Sequence, residues 1–175
     1  MGAHPHYSLR FPKGANPFDD EVDDVEEDLA QRGRSAWVRK FRQEYDAALL
    51  YHDFVVAETL QLTRSIGQDG GYRAWMYLSD HGQEVGHEGN HAGHSPSTAG
   101  GYRIPTVVWR SSSTPALDPA GAEQRPFRAD WAGWTIADLL DMRWDNSATG
   151  GRNVLGQDYR WQAPALPVEV QSFDE

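Results

Sequence analysis

Four of the seven histidines, His81, His87, His91 and His94, fall between positions 81 and 94. They follow directly on Ser79-Asp80-His81-Gly82, which closes the apolar run Ala74-Trp75-Met76-Tyr77-Leu78. A carboxylate and an imidazole are both good ligands for a borderline divalent cation such as Zn²⁺. Asp80 and His81 are neighbours, so in an extended strand their side chains would point to opposite faces. They converge on one ion only if the strand ends there and the chain bends, and Gly82 permits that bend. Gly86, Gly89 and Gly93 allow the following backbone to fold close around a site. From the residues alone two readings stand: a metal or phosphate site, or a Gly- and His-rich surface loop with no ligand. An Asp-His dyad serving a serine nucleophile would need a Gly-x-Ser-x-Gly elbow, and the chain has none.

The elements that must position these residues are legible on either side. Ala74–Leu78 contains no Gly, Pro or charge and reads as a strand buried on both faces, with the Asp-His pair at its C-terminal end, where open α/β sheets build their sites. Ile104-Pro105-Thr106-Val107-Val108-Trp109 reads as the next strand. Before them, Ser35 to about Arg64 has no Gly or Pro, and Ala47, Leu49, Leu50, Phe54, Val56, Ala57 and Leu60 recur at helical spacing, predicting one long helix with an apolar face. It ends before Gly67, and Gln68-Asp69-Gly70-Gly71 reads as a turn into the strand. Helix, short turn and apolar strand make half of an α/β unit. A second helix is expected from Asp130 to Met142, with Ile136, Leu139 and Leu140 on its apolar side.

The remaining stretches read as loop or surface. Residues 1–18 hold Pro5, Pro12 and Pro17, each of which disfavours helix at the residue before it. Residues 19–28 are almost all acidic but lack the turn glycine and spaced carboxylates of a calcium loop, so a solvated or disordered surface segment is expected. Residues 111–121 read as a surface loop and about 146–175 as an irregular tail. At 175 residues the chain is one domain by length. Its formal net charge of −10 argues against nucleic acid as a partner. With no cysteine there is no disulfide framework and no thiolate metal site. No run approaches the roughly 18 apolar residues of a membrane span, the N-terminus lacks the regions of a signal peptide, and Gly2 is poorly placed for myristoylation.

Several segments together carry a family resemblance. Tyr77-Leu78-Ser79-Asp80-His81-Gly82-Gln83-Glu84-Val85 resembles the Ser-Asp-His-Gly motif of the sulfatase-like phosphoethanolamine transferases of the alkaline phosphatase superfamily. Met1-Gly2-Ala3-His4-Pro5-His6-Tyr7 with Arg10-Phe11-Pro12 resembles that family's His-x-Met-Gly-(Ser/Thr)-His segment and its following Arg-Tyr-Pro. Tyr45-Asp46-Ala47-Ala48 through Val56, Tyr102–Trp109 and Trp134-Thr135-Ile136-Ala137-Asp138-Leu139-Leu140 resemble three further family segments in the same order.

The resemblance implies an α/β, alkaline-phosphatase-like (sulfatase) three-layer sandwich, here an incomplete C-terminal portion. It implies a zinc site with Asp80 and His81 as ligands, His91 or His94 on the substrate phosphoryl group, and His4 among the substrate-binding residues. It further implies a bacterial inner-membrane enzyme whose catalytic domain faces the periplasm. Such an enzyme moves phosphoethanolamine from phosphatidylethanolamine onto lipid A or a lipopolysaccharide core sugar through a phosphorylated threonine. The nucleophilic threonine and the other metal ligands of that family lie upstream of the matching region. Thr59 and Thr63 sit on the long helix and read as ordinary helix residues. The expectation is therefore a truncated product, a gene fragment or one piece of a split protein, inactive alone and in want of a partner polypeptide. A sulfatase or phosphodiesterase of the same superfamily, or an inactive metal-binding remnant, are the competing expectations.

Overall fold

The computed structural model describes residues 6–18, 23–66, 71–111, 121–143, 145 and 150–170. Residues 19–22 of the acidic run, the turn at 67–70, most of the 111–121 loop and His4 lie outside them. The described elements are helices α1 (Asp24–Gln31), α2 (Ala36–Ser65) and α3 (Ala132–Leu139), and strands β1 (Ala74–Leu78), β2 (Glu84–Val85), β3 (Ala92–Gly93) and β4 (Thr106–Arg110). Mixed helix and sheet fit the α/β class. The chain divides into two units, one of Met1–Thr59, His81–Ile104 and Pro167–Val170, the other of Leu60–Asp80, Pro105–Leu166 and Gln171–Glu175.

In the first unit, half of the acidic run is a helix. Asp23 accepts the Glu26 amide at 2.8 Å and caps α1, while Asp24, Glu26 and Glu27 fill the first turn, where the helix dipole favours negative charge. Leu29 is buried beneath an otherwise solvated face. The helix stops at Gly33, whose φ of 73° supports a Schellman end: the Gly33 amide bonds to the Ala30 carbonyl at 3.0 Å and the Arg34 amide to the Leu29 carbonyl at 2.9 Å. Glu26 then reaches α2, accepting from Arg39 at 3.4 Å and from Gln43 at 3.1 Å. The early part of α2 buries Val38, Ala47 and Ala48. Tyr7, Ala48 and Val85 form the core here, with Phe11, Phe41, Tyr45 and Ala92 packed around it. The Tyr7 ring meets those of Phe41 and Tyr45 edge-on, at 6.2 and 5.2 Å between centroids.

The long helix lies within one residue of its expected bounds, but only part of its expected apolar face is covered. Leu49, Leu50 and Phe54 are exposed, as are Val55, Leu62 and Ile66. Val38, Ala47 and Ala48 of its first half are buried with Phe41 and Tyr45 packed beside them, while beyond Ala48 only Val56 and Leu60 of the expected face are half-buried.

In the second unit β1 pairs antiparallel with β4, Trp75 opposite Trp109 and Met76 opposite Val108. β4 begins at Thr106 rather than Ile104, because Pro105 has no amide to give a ladder. Ala74, Met76 and Val108 pack on a core of Leu139, Val154 and Leu155, joined by Phe127 and Tyr159. On the other face Trp75 stacks with Tyr77 at 6.4 Å, and Val107 is exposed. The strand expected to be buried on both faces is half-buried at all five positions, with Ala74 and Met76 turned to the apolar core and Trp75 and Tyr77 to the other face.

α3 is shorter than expected. A 3-10 turn over Ala129–Trp131 precedes it, and Asp141 at φ 51° ends it. Here too a Schellman pattern closes the helix, with the Asp141 amide on the Asp138 carbonyl at 3.0 Å and the Met142 amide on the Ala137 carbonyl at 2.8 Å. Of the three residues expected on its apolar side, Leu139 is buried, whereas Ile136 and Leu140 are exposed; Thr135 is buried in their stead. Its hydroxyl accepts the Val154 amide at 3.3 Å, which holds the tail segment under the helix. The tail is irregular in backbone yet contributes Val154 and Leu155 to the core.

Candidate functional site

The histidine segment is a small hairpin. β2 and β3 pair antiparallel, Glu84 opposite Gly93 and Val85 opposite Ala92, and the loop between them carries His87 and ends at His91. Gly86, at φ 89°, and Gly93, at φ 140°, adopt backbone that side-chain-bearing residues rarely enter. Gly82 is required for a different reason from the bend expected of it. Its amide bonds to the Gly101 carbonyl at 2.9 Å, and a Cβ there would overlap the carbonyl oxygens of Gly100 and Arg103. Gly101 in turn lies against the Ser95 carbonyl with no room for a Cβ. The hairpin and the 99–103 turn are locked backbone to backbone.

A buried carboxylate organises the loop from inside. Glu84 is fully buried and accepts the Glu88 amide at 3.1 Å and the Gly89 amide at 3.3 Å. Glu88 accepts the Ala99 amide at 2.7 Å. Tyr7 donates its hydroxyl to the Gln83 side-chain oxygen at 3.2 Å, and burial, then the neighbouring Tyr45, pushes its pKa up to about 12. The His87 ring edge packs by Gly100. Burial of that ring and the nearby Arg42 guanidinium hold its pKa below the usual imidazole range, against the pull of Glu84 and Asp46. Burial raises Asp46, and the Arg42 guanidinium, which donates to both its oxygens at 2.8 Å, opposes the rise.

Of the expected site residues, His81, His91 and His94 come together in this unit. The rings of His81 and His94 lie 4.3 Å apart between centroids, tilted by 51°. His91 Nε2 approaches the His94 carbonyl at 3.4 Å. His81 Nδ1 lies 2.9 Å from the Gly82 carbonyl, which can only accept, so Nδ1 carries the proton and Nε2 is the lone-pair nitrogen of the neutral ring. A carbonyl that fixes the tautomer in this way is the usual support of a metal-binding imidazole. The donor chemistry therefore fits a cation at His81. Among the described residues no group of three or more His, Asp or Glu is arranged to hold a metal ion. Asp80 is exposed and belongs to the β1 unit, while His81 opens the hairpin unit. His4 lies outside the described residues.

Reading the sequence for chemistry missed Glu84, Arg34 and Asn90. Arg34 donates to the Gly86 carbonyl at 2.9 Å, and Asn90 accepts from Ser35. Only the cap signals around them, Asp23 three residues before Glu26 and Gly33 after the last helical turn, were there to be read. No described helix is long and apolar enough to cross a membrane.

Neither the curated proteins nor the solved structures compared with this chain include a match. A family model does match: the one described as Sulfatase aligns with residues 1–142, which takes in both strands of each pair, the histidine hairpin and α3. With most of its length so aligned, the chain belongs to the Sulfatase family.

Proposed function

We propose that the chain is the C-terminal part of the catalytic domain of a phosphoethanolamine transferase in the alkaline phosphatase superfamily. On this reading the domain is a three-layer α/β sandwich facing the bacterial periplasm. Phosphatidylethanolamine is the donor, and lipid A or a core sugar of lipopolysaccharide is the acceptor. The observation that carries the reading is the His81–His94 ring pair on the Ser-Asp-His-Gly hairpin.

Asp80 and His81 would hold a Zn²⁺ ion, which when bound lowers the pKa of a nucleophilic hydroxyl and neutralises phosphoryl oxygens. The rest of the chemistry falls to side chains. A threonine hydroxyl from a segment outside these 175 residues attacks the donor phosphorus, and the bond to the diacylglycerol oxygen breaks as that oxygen takes the proton. An acceptor hydroxyl then attacks the phosphothreonine and the threonine oxygen leaves, taking up the proton that the acceptor gives up. His94, and His91 beside it, donate N–H bonds to the phosphoryl oxygens where charge develops. The Gly82 carbonyl keeps His81 in one tautomer throughout.

A sulfatase or phosphodiesterase of the superfamily would share the Asp80 and His81 roles, and an inactive remnant would keep the fold without turnover. Calorimetric titration of the zinc-supplemented chain with O-phosphoethanolamine and with an aryl sulfate separates the transferase from the sulfatase reading. The transferase reading expects saturable O-phosphoethanolamine binding that weakens about tenfold or more in His94→Ala. Preference for the aryl sulfate, or binding indifferent to His94, would overturn it.

A further inference from the structure

We propose that Arg34, with Ser35 beside it, is a positioning residue for the histidine hairpin; the inference deepens the reading of that hairpin as the metal and phosphoryl site and rests on it. The loop between β2 and β3 is held from outside at both ends by the short connection between α1 and α2. Arg34 donates from Nε to the Gly86 carbonyl at 2.9 Å and from Nη2 to the His87 carbonyl at 3.5 Å. Arg32 donates to the same His87 carbonyl. At the far end of the loop, the Asn90 side-chain oxygen accepts both the Ser35 amide and the Ser35 hydroxyl, each at 2.8 Å. The next residue is His91.

The connection is itself rigid. The Schellman end of α1 fixes the Arg34 amide on the Leu29 carbonyl at 2.9 Å, and Arg39 donates to the Arg34 carbonyl at 2.8 Å. Below the loop, a Cβ on Gly86 would meet the Leu29 and Val38 side chains at 3.0 and 3.1 Å, so the loop rests on an apolar floor from α1 and α2. Inside, Glu84 holds the Glu88 and Gly89 amides.

This arrangement exceeds what a surface hairpin of two-residue strands needs for its own sake. An imidazole pair has to be held to a fraction of an ångström to bind a cation or phosphoryl group, and loops reach that only when outer hydrogen bonds fix them. A guanidinium fork across two successive carbonyls is a role lysine cannot copy, because an ammonium is a point donor. Arg34 thus acts through the Gly86 and His87 carbonyls at one end of the loop, as Ser35 acts through Asn90 at the end that leads into His91.

The test uses the intact 175-residue chain and reads three things: the nuclear Overhauser effect between the His81 and His94 rings, zinc affinity by calorimetry, and thermal unfolding. Arg34→Ala is expected to weaken the ring-to-ring effect and to lower zinc affinity about tenfold, in line with the loss of other outer-shell supports, while the chain stays folded. Arg34→Lys is expected to recover part of both. A folded Arg34→Ala with wild-type ring contact and wild-type zinc affinity would overturn the proposal. Should Arg34→Ala unfold, Asn90→Ala releases the other end of the loop, and unchanged ring contact and affinity there would overturn it equally. Failure of the functional reading looks different: the wild-type chain binds no zinc, yet the ring contact still responds to Arg34→Ala.

Discussion

The histidine hairpin and the β1–β4 pair are both antiparallel and both small, yet they are held by opposite means. The β1–β4 pair lies on apolar side chains: Ala74, Met76 and Val108 on Leu139, Val154 and Leu155. The hairpin has two-residue strands and is held by hydrogen bonds and by backbone approaches that only glycine allows. Apolar packing is tolerant of which side chain fills a gap, whereas a polar, glycine-locked loop specifies each atom. The region built to the tighter standard is the one that carries the imidazoles.

The contrast breaks most sharply at its anchors. Leu139→Ala should cost about 2–5 kcal/mol, read by denaturant unfolding, with early loss of amide protection across Ala74–Leu78 and Thr106–Arg110. Gly101→Ala places a methyl on the Ser95 carbonyl; its cost is expected at about 1–3 kcal/mol, with the His81–His94 ring contact as the readout of a displaced hairpin. If the substitution leaves that contact intact, the glycine lock is not what holds the site.

Smaller effects sharpen the difference. Thr135→Val leaves the Val154 amide without its acceptor and should destabilise by about 1–3 kcal/mol, whereas Val107→Thr on the exposed face of β4 should stay within about 0.5 kcal/mol.

A further contrast is a matter of pH. Tyr7 has its pKa raised in the folded chain to about 12 from the ordinary value of 10.0, so the unfolded chain ionises first as pH rises. The folded state keeps the proton longer, and stability should fall from about pH 10 towards pH 12. Tyr7→Phe should flatten that part of the profile. For His87 the shift is downward, so the unfolded chain protonates first on acidification. Its contribution is present above pH 6.5 and is lost as pH falls towards the lower folded value. Unfolding midpoints followed across both windows, in wild type and in Tyr7→Phe and His87→Gln, check the two signs.

The same contrast explains what could be read from the chain. β1 was legible to the residue because an unbroken apolar run flanked by turn residues has few alternatives, and α2 because thirty helical residues without Gly or Pro leave little choice of end. How much of the α2 face would be buried was not legible: periodicity shows that an apolar stripe exists but not which stretch finds cover. α1 was hidden because acidic composition outweighed its caps, and a single buried Leu29 gives no period. At the site, residue types and glycine spacing marked the hairpin and its histidines, and order along the chain pointed to the family. Nothing local announced Arg34 or Asn90, since hydrogen bonds to carbonyls more than fifty positions away leave no pattern in sequence. Glycine at 82 was legible as needed but not why, because its reason is a distant backbone.

Zinc titration of the 175-residue chain, compared with Asp80→Asn and His81→Ala, reads the metal site itself. Saturable binding is expected, weakened about tenfold or more by each substitution, with His81 the larger loss. Absence of binding, or an affinity that neither substitution changes, would contradict a metal site on the Ser-Asp-His-Gly hairpin.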